Sequence, residues 1–134
     1  MSLGRERAKN ALVRTRELGS RPDSFKKNYR AYVDRIGPAI VMNGLGQALA
    51  TELAAAGLRP ADEVQRAHLE LYRSIGRWLC GEGDVYEQDR DLLDAIVSND
   101  EETYLRAQAE ALAWLEWHKK FCRATFPADD GVAG

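Results

Sequence analysis

Apolar residues recur at helical spacing along almost the whole chain. The clearest stripe lies between residues 22 and 36, where five large side chains repeat at i, i+4, i+7, i+8 and i+11: Phe25, Tyr29, Tyr32, Val33 and Ile36. Such spacing places them on one face of an amphipathic helix. Similar stripes predict six helices, over residues 5–18, 22–36, 38–56, 61–81, 92–97 and 101–126. No strand-period alternation occurs, so we expect an all-α fold, a single-domain bundle of about six helices over residues 1–126 with a disordered tail at 127–134.

The boundary between the second and third predicted helices rests on Gly37 and Pro38. Proline disfavours helical geometry in the residue before it but is well tolerated in the first turn of a helix. The pair therefore predicts a break at Gly37, with a new helix beginning at Pro38 and ending before Gly57. This third helix is apolar around most of its circumference, which predicts that it is central and largely enclosed.

Two glycines in the segment NGLG, Gly44 and Gly46, resemble the start of a phosphate-binding loop. A dinucleotide fingerprint needs a preceding strand and a third glycine where Leu49 stands, and a P-loop needs a lysine and a hydroxyl residue that are absent here. Interior glycines destabilise a helix by about 1 kcal/mol each relative to alanine. We therefore interpret both as notches for close helix packing, and Asn43 and Gln47 beside them then need hydrogen-bond partners from another helix or a bound chain.

Three aromatic side chains of the sixth helix share a face at i, i+3 and i+7: Trp114, Trp117 and Phe121. Aromatic residues at this spacing usually belong to the core. The apolar stripe changes sides at this point of the helix, however, which favours a second surface. Core packing and an aromatic anchor for a partner subunit therefore both remain open.

Composition excludes several classes of protein. The 134 residues are 45% hydrophobic, and no apolar run approaches the length of a membrane span. No secretion leader is evident, so we expect a cytoplasmic protein without membrane contact. Cys80 and Cys122 lie on apolar helical faces without a second sulfur or histidine at ligand spacing, which predicts buried free thiols.

Charge is distributed unevenly along the chain. The net charge is −2, but residues 1–36 carry ten Lys and Arg against four acids, a net +6, and residues 67–100 carry three against eight, a net −5. A basic block on a mildly acidic protein indicates an anionic partner on one side, either a nucleic-acid backbone or an acidic patch of a neighbouring protein. The candidate RNA-binding residues are Arg5, Lys9 and Arg16 on one flank of the first helix and Lys26, Lys27 and Arg30 opposite the apolar stripe of the second. Arg7 and Arg14 lie on the other flank of the first helix, where we expect them to reach solvent.

No catalytic constellation emerges from the residues. Carboxylate-type metal bundles need Glu-x-x-His pairs, but Gln65 and Leu115 stand three residues before His68 and His118. His68 lies among apolar residues and is expected at the edge of the core with a hydrogen-bond partner, whereas His118, next to two lysines, is expected at the surface. The acids around residues 81–91 are interpreted as a flexible solvated loop. We therefore expect no catalytic residue, no metal site and no cofactor.

Three separated segments resemble one known family. NGLGQALA, the opening RERAKNALVRTRE and the closing DLLDAIVSNDEETYLRAQAEALAWLEWHKKFCRA are similar, in this order, to the small helical subunit of the type III-B CRISPR effector, the fifth subunit of the Cmr RNA-guided complex. The loop around residues 81–91 departs from that likeness.

The resemblance implies an all-helical protein without an active site, whose copies stack as an inner filament beside the other Cmr subunits and line the groove that holds guide and target RNA, while neighbouring subunits cleave the target. We expect an RNA-binding structural subunit that serves antiviral defence and is a monomer when isolated. The alternative is a stand-alone helical adaptor that binds only protein.

Overall fold

The computed structural model describes residues 2–128, and this part of the chain is helical without strands. Its six α-helices are α1 Leu3–Leu18, α2 Asp23–Asn43, α3 Leu45–Ala56, α4 Glu63–Arg77, α5 Leu92–Ser98 and α6 Glu101–Thr125. Helix α4 ends in a kinked turn, Trp78–Glu82, in which Cys80 and Gly81 are not helical; we call it the π turn because the Trp78 carbonyl accepts from the N–H of Gly83, five residues on. The predicted all-α bundle is confirmed. Met1 and residues 129–134, which include most of the predicted tail at 127–134, lie outside the described residues.

Helix α2 is the centre of the bundle, because it packs against α3, α4 and α6, while α1 lies along α6 and α3 along α4. Its apolar stripe supplies much of the core: Phe25, Tyr29 and Ile40 are completely buried. The two largest fully buried side chains, Trp78 and Trp114, come from the π turn and from α6. Among residues 2–128, no helix has both the length and the apolar character that crossing a bilayer requires.

The predicted break at Gly37 and Pro38 is wrong, since α2 continues through both residues to Asn43. Proline removes one N–H from the helical ladder, but continuing the helix buries Ile40 completely. The chain turns instead at Gly44, whose φ of 89° is readily adopted only by glycine. The third helix therefore begins at Leu45 and is only half-enclosed, with Val41 left exposed at the end of α2.

The acidic segment after α4 has a defined path rather than that of a flexible loop. Its backbone folds back on the π turn, where the Leu79 carbonyl accepts hydrogen bonds from the N–H groups of Val85 and Tyr86, and the Cys80 carbonyl accepts one from Asp89. The Tyr86 ring is buried as a result. Hydrogen bonds that the local sequence pattern does not reveal thus hold this loop in place.

His118 is completely buried, so its predicted place at the surface is wrong. The Thr15 hydroxyl donates to the Ala11 carbonyl and can therefore accept from Nδ1–H of His118, 3.1 Å away. Nε2 then accepts from the Tyr29 hydroxyl at 2.6 Å, and this hydroxyl lies 2.8 Å from that of Ser74. Burial lowers the pKa of His118 to about 3, so the ring is neutral at physiological pH.

Candidate nucleic-acid and subunit interfaces

One flank of α1 carries an open basic strip formed by Arg5, Lys9 and Arg16. All three residues are exposed, and their charged groups pair with no acid among residues 2–128. Arg5 and Arg16 are eleven positions apart on the helix, which corresponds to about 17 Å along the axis. Uncompensated cations in a row at the surface attract phosphates over this length without reading sequence.

The opposite flank of α1 is structural, so the expected solvent access of its two arginines is wrong for Arg14 and limited for Arg7. The Arg7 guanidinium holds both carboxylate oxygens of Glu110, at 2.5 and 2.8 Å, and Glu110 also accepts from the Trp78 indole N–H. The Arg14 guanidinium is buried against Glu70, with 2.5 Å between nitrogen and oxygen. These pairs fasten α1 to α6 and α4, and they remove both cations from any ligand-binding surface.

The three basic residues of α2 are less free than their helical positions suggest. Lys26 lies 3.4 Å from the Asp23 carboxylate and donates to the carbonyl of Gly19, the residue after α1, at 3.1 Å. Arg30 donates to the Phe126 carbonyl at 2.9 Å, and Lys27 is not without a partner either. All three side chains are partly exposed. The structure thus gives Lys26 and Arg30 a role in closing the bundle, which the helical pattern alone did not predict.

The segment around Gly44 and Gly46 joins α2 to α3 and is capped by α6. The first free N–H groups of α3 donate to side chains of α6: Leu45 to the Gln108 amide oxygen and Gly46 to the Tyr104 hydroxyl, both at 3.0 Å. A Cβ on Gly44 would lie 3.0 Å from that hydroxyl, but one on Gly46 would lie 3.6 Å away, an ordinary contact. Close packing therefore applies at Gly44, where the conformation also demands glycine, and the tight notch predicted at Gly46 is absent.

Asn43 and Gln47 are both exposed, and neither side chain hydrogen-bonds to another described residue. They need no partner inside the fold, because water reaches them. Of the two kinds of partner predicted for these amides, another helix or a bound chain, no helix of the described residues supplies one. Both amides remain available to a bound molecule.

The three aromatic residues of α6 divide between the two alternatives. Trp114 is fully buried and its indole N–H donates to the Asn10 amide oxygen at 3.0 Å. Trp117 is 40% exposed and stacks with the half-buried Phe121, with ring centroids 5.9 Å apart. Trp114 is thus a core residue, and Trp117 with Phe121 forms an aromatic pair at the surface.

An apolar groove that the sequence did not reveal lies between the C-terminal half of α2 and α6. It encloses about 390 Å³ and is lined on one side by Pro38, Val41 and Met42 and on the other by Leu112 and Leu115. Val41 and Met42 are 70% and 81% exposed. The groove exists because α2 continues through Pro38 without a break. Predicting the groove from sequence would have required the correct boundary between α2 and α3.

Over residues 2–128, no group of three or more His, Cys, Asp or Glu side chains that could hold a metal ion occurs. Cys80 and Cys122 are buried free thiols, as predicted, and burial raises the pKa of Cys122 to about 12. His68 lies at the edge of the core and contacts Glu52, as predicted, while His118 is sealed inside the bundle.

Comparisons with known proteins agree on one family. The family model described as CRISPR-associated protein (Cas_Cmr5) matches residues 3–125. The fold is similar to the crystal structure of a CRISPR-associated Cmr5 family protein from Thermus thermophilus, with a TM-score of 0.70 and 24% sequence identity over 95% of this chain and 100% of that chain. No curated protein matches the sequence.

Proposed function

Because the chain belongs to the Cmr5 family of CRISPR-associated proteins, we propose that it is the small, non-catalytic subunit of a type III-B RNA-guided effector complex. In this role, several copies stack beside the other Cmr subunits in the cytoplasm and help to hold guide and target RNA, and neighbouring subunits carry out cleavage. The sealed position of His118 and the buried thiols support a role without chemistry.

The observation that carries RNA binding is the open basic strip Arg5, Lys9 and Arg16. These cations have no acidic partner among the described residues. Arg7 and Arg14, in contrast, form ion pairs with Glu110 and Glu70. A strip that neutralises phosphates releases condensed counterions and accepts any sequence, as a subunit that serves changing guides requires. The partly exposed Lys26, Lys27 and Arg30 extend the basic surface on α2.

The test is RNA binding by the assembled complex and by the lone subunit across a salt series. Changing Arg5, Lys9 and Arg16 to Glu should leave folding intact, because all three residues are exposed. The change should flatten the slope of log affinity against log salt by about two for single-stranded RNA. The matched control changes Arg59, Arg77 and Lys120 to Glu, which alters the net charge equally at exposed sites elsewhere. An unchanged slope in the α1 variant, or an equal loss in the control, would remove this strip from the RNA path.

The alternative function, a helical adaptor that binds only protein, rests on the exposed aromatic pair and the apolar groove. Aromatic side chains dominate many interfaces, so Trp117 and Phe121 are natural anchors for another subunit or a second copy. Changing Trp117 to Ser and Met42 to Ser should weaken assembly in co-purification with the other subunits while leaving RNA affinity of the lone chain unchanged. Failed assembly combined with no RNA binding by the wild-type chain would favour the adaptor.

A further inference from the structure

A second cavity, of about 410 Å³, opens between α2, α3 and α4, on the side of α2 away from Lys26 and Arg30. Its apolar floor is made by Ile36, Ala39 and Ala48, of which Ile36 and Ala48 belong to the buried core. Cavities of this size, with an apolar floor and a few convergent polar groups, are the usual form of a small-ligand site. The cavity shares no residue with the basic strip of α1.

One wall of the cavity is a stack of three planar groups. The rings of Tyr32 and His68 are nearly parallel, at 10°, with centroids 3.8 Å apart, and the Arg35 guanidinium lies over the Tyr32 ring at 4.8 Å. Glu52 orients the His68 ring through its Nδ1, 2.5 Å from the carboxylate oxygen. The Tyr32 ring is therefore covered on both faces, the Arg35 guanidinium and the His68 ring form the two ends of the stack, and the stack is held in place before any ligand arrives.

The polar groups around the cavity retain unused hydrogen-bonding capacity. Among residues 2–128, the Arg35 guanidinium has no hydrogen-bonded partner and the Asn43 amide has none either. A carboxylate only accepts, so Nδ1 of His68 carries the hydrogen, and Nε2 makes no hydrogen bond to another residue of 2–128. The Thr51 hydroxyl donates to the Gln47 carbonyl and keeps its lone pairs available. Donors and acceptors thus surround an apolar floor.

We propose that this cavity binds one unstacked nucleobase of a single-stranded RNA. A base is flat and aromatic and can stack on a guanidinium plane, and its edge alternates donors and acceptors, which matches the Arg35 end of the stack with the polar groups of Asn43 and His68 in the same cavity. The inference rests on the proposed RNA-holding function and adds a base contact to the phosphate contacts of the basic strip.

The test compares strands that differ only in bases. The probes are an abasic oligoribonucleotide and four strands of equal length that carry a single A, C, G or U. Stacking of one base on protein contributes enough to strengthen binding by about 5- to 150-fold. Ala39→Leu fills the cavity, so this variant should lose the advantage and bind the abasic strand as the wild type does. Asn43→Ala removes one hydrogen-bonding amide, so it should reduce the advantage without abolishing it. Ala55→Leu, which adds the same side chain at an exposed position of α3, is the matched control.

The backbone amide NMR signals of Asn43 and Thr51 report whether the base binds in this cavity. Strands that carry a base should shift these signals, and the abasic strand should not. Equal affinity of the wild type for both kinds of strand, or a base advantage that survives Ala39→Leu, would overturn the proposal. Failure of the proposed function has a different signature, namely abasic-strand affinity that is absent or unaffected by the α1 charge reversal. In that event the cavity is tested with ribonucleoside monophosphates. Saturable chemical-shift changes at Asn43 and Thr51 support the base site if ribose 5-phosphate does not cause them and Ala39→Leu abolishes them. The absence of such changes refutes the base site.

Discussion

The buried His118 should make the bundle sensitive to mild acid. Its pKa is about 3 in the folded protein, because burial disfavours the charged ring and nearby Arg14 acts in the same direction, outweighing the hydrogen bond to the Ala11 carbonyl. In the unfolded chain a histidine has a pKa of about 6.5. The unfolded state therefore binds one more proton between these two values, and stability falls as the pH is lowered through about 6.5.

The magnitude follows from proton linkage at a single site. Between pH 7.5 and pH 5 this one group should reduce the free energy of unfolding by about 2 kcal/mol. For a chain of this length, that loss corresponds to a melting temperature lower by about 7 °C. Burial raises the pKa of Glu70, but hydrogen bonds from Arg14 and Arg73 outweigh burial and lower this pKa overall. In the folded protein Glu70 therefore takes up its proton under more acidic conditions than the range from pH 7.5 to pH 5.

The assay is urea unfolding of the wild type and of His118→Gln over this pH range. The variant is less stable at neutral pH, because glutamine does not reproduce both ring hydrogen bonds, yet it should lose about 2 kcal/mol less than the wild type as the pH falls. NMR of the His118 ring in the wild type should show a neutral imidazole down to pH 5. Parallel pH profiles of the two proteins, or a His118 ring that titrates near 6.5 in the folded state, would refute the reasoning.

Three further predictions concern stability and the surface. Gly44→Ala should lower stability by about 1–2 kcal/mol in thermal melts, because the position has positive φ and lies against the Tyr104 hydroxyl. Gly37→Ala should raise stability by up to about 1 kcal/mol, because a Cβ at this position inside α2 would meet open space. If Gly37→Ala were the more destabilising change, the observed end of α2 would be wrong. Glu110→Ala should lower the free energy of unfolding by about 2–3 kcal/mol in chemical denaturation, since it leaves the Arg7 guanidinium and the Trp78 indole N–H without their acceptor. A loss no larger than that of Glu102→Ala, at an exposed glutamate, would show that the Arg7–Glu110 pair does not stabilise the fold. Trp117→Ala should change the free energy of unfolding by less than Trp114→Ala, for which we expect about 3–5 kcal/mol, and equal losses would place Trp117 in the core.

Local patterns were sufficient for the helical class, for most helices and for the family. The stripe from Phe25 to Ile36 lies buried along α2 as its spacing requires, and Gly57 follows α3 as a stop. The resemblance to the Cmr family is confirmed by the family match over residues 3–125. These features depend on residues a few positions apart, so the order of residues along the chain determines them without knowledge of the neighbouring helices.

Contacts between distant residues decided the rest. Gly37 and Pro38 stay helical because a longer α2 buries Ile40, and His118 lies inside because Thr15 of α1 and Tyr29 of α2 reach it from segments that are remote in sequence. The same holds for function: Arg5 and Arg14 lie on the two flanks of one apolar stripe and both were expected to reach solvent, yet Arg5 is exposed and Arg14 is paired with Glu70 on α4. Whether a charge is free for a ligand depends on the acids that the packed helices bring next to it, and helical spacing carries no information about residues 50 to 100 positions away.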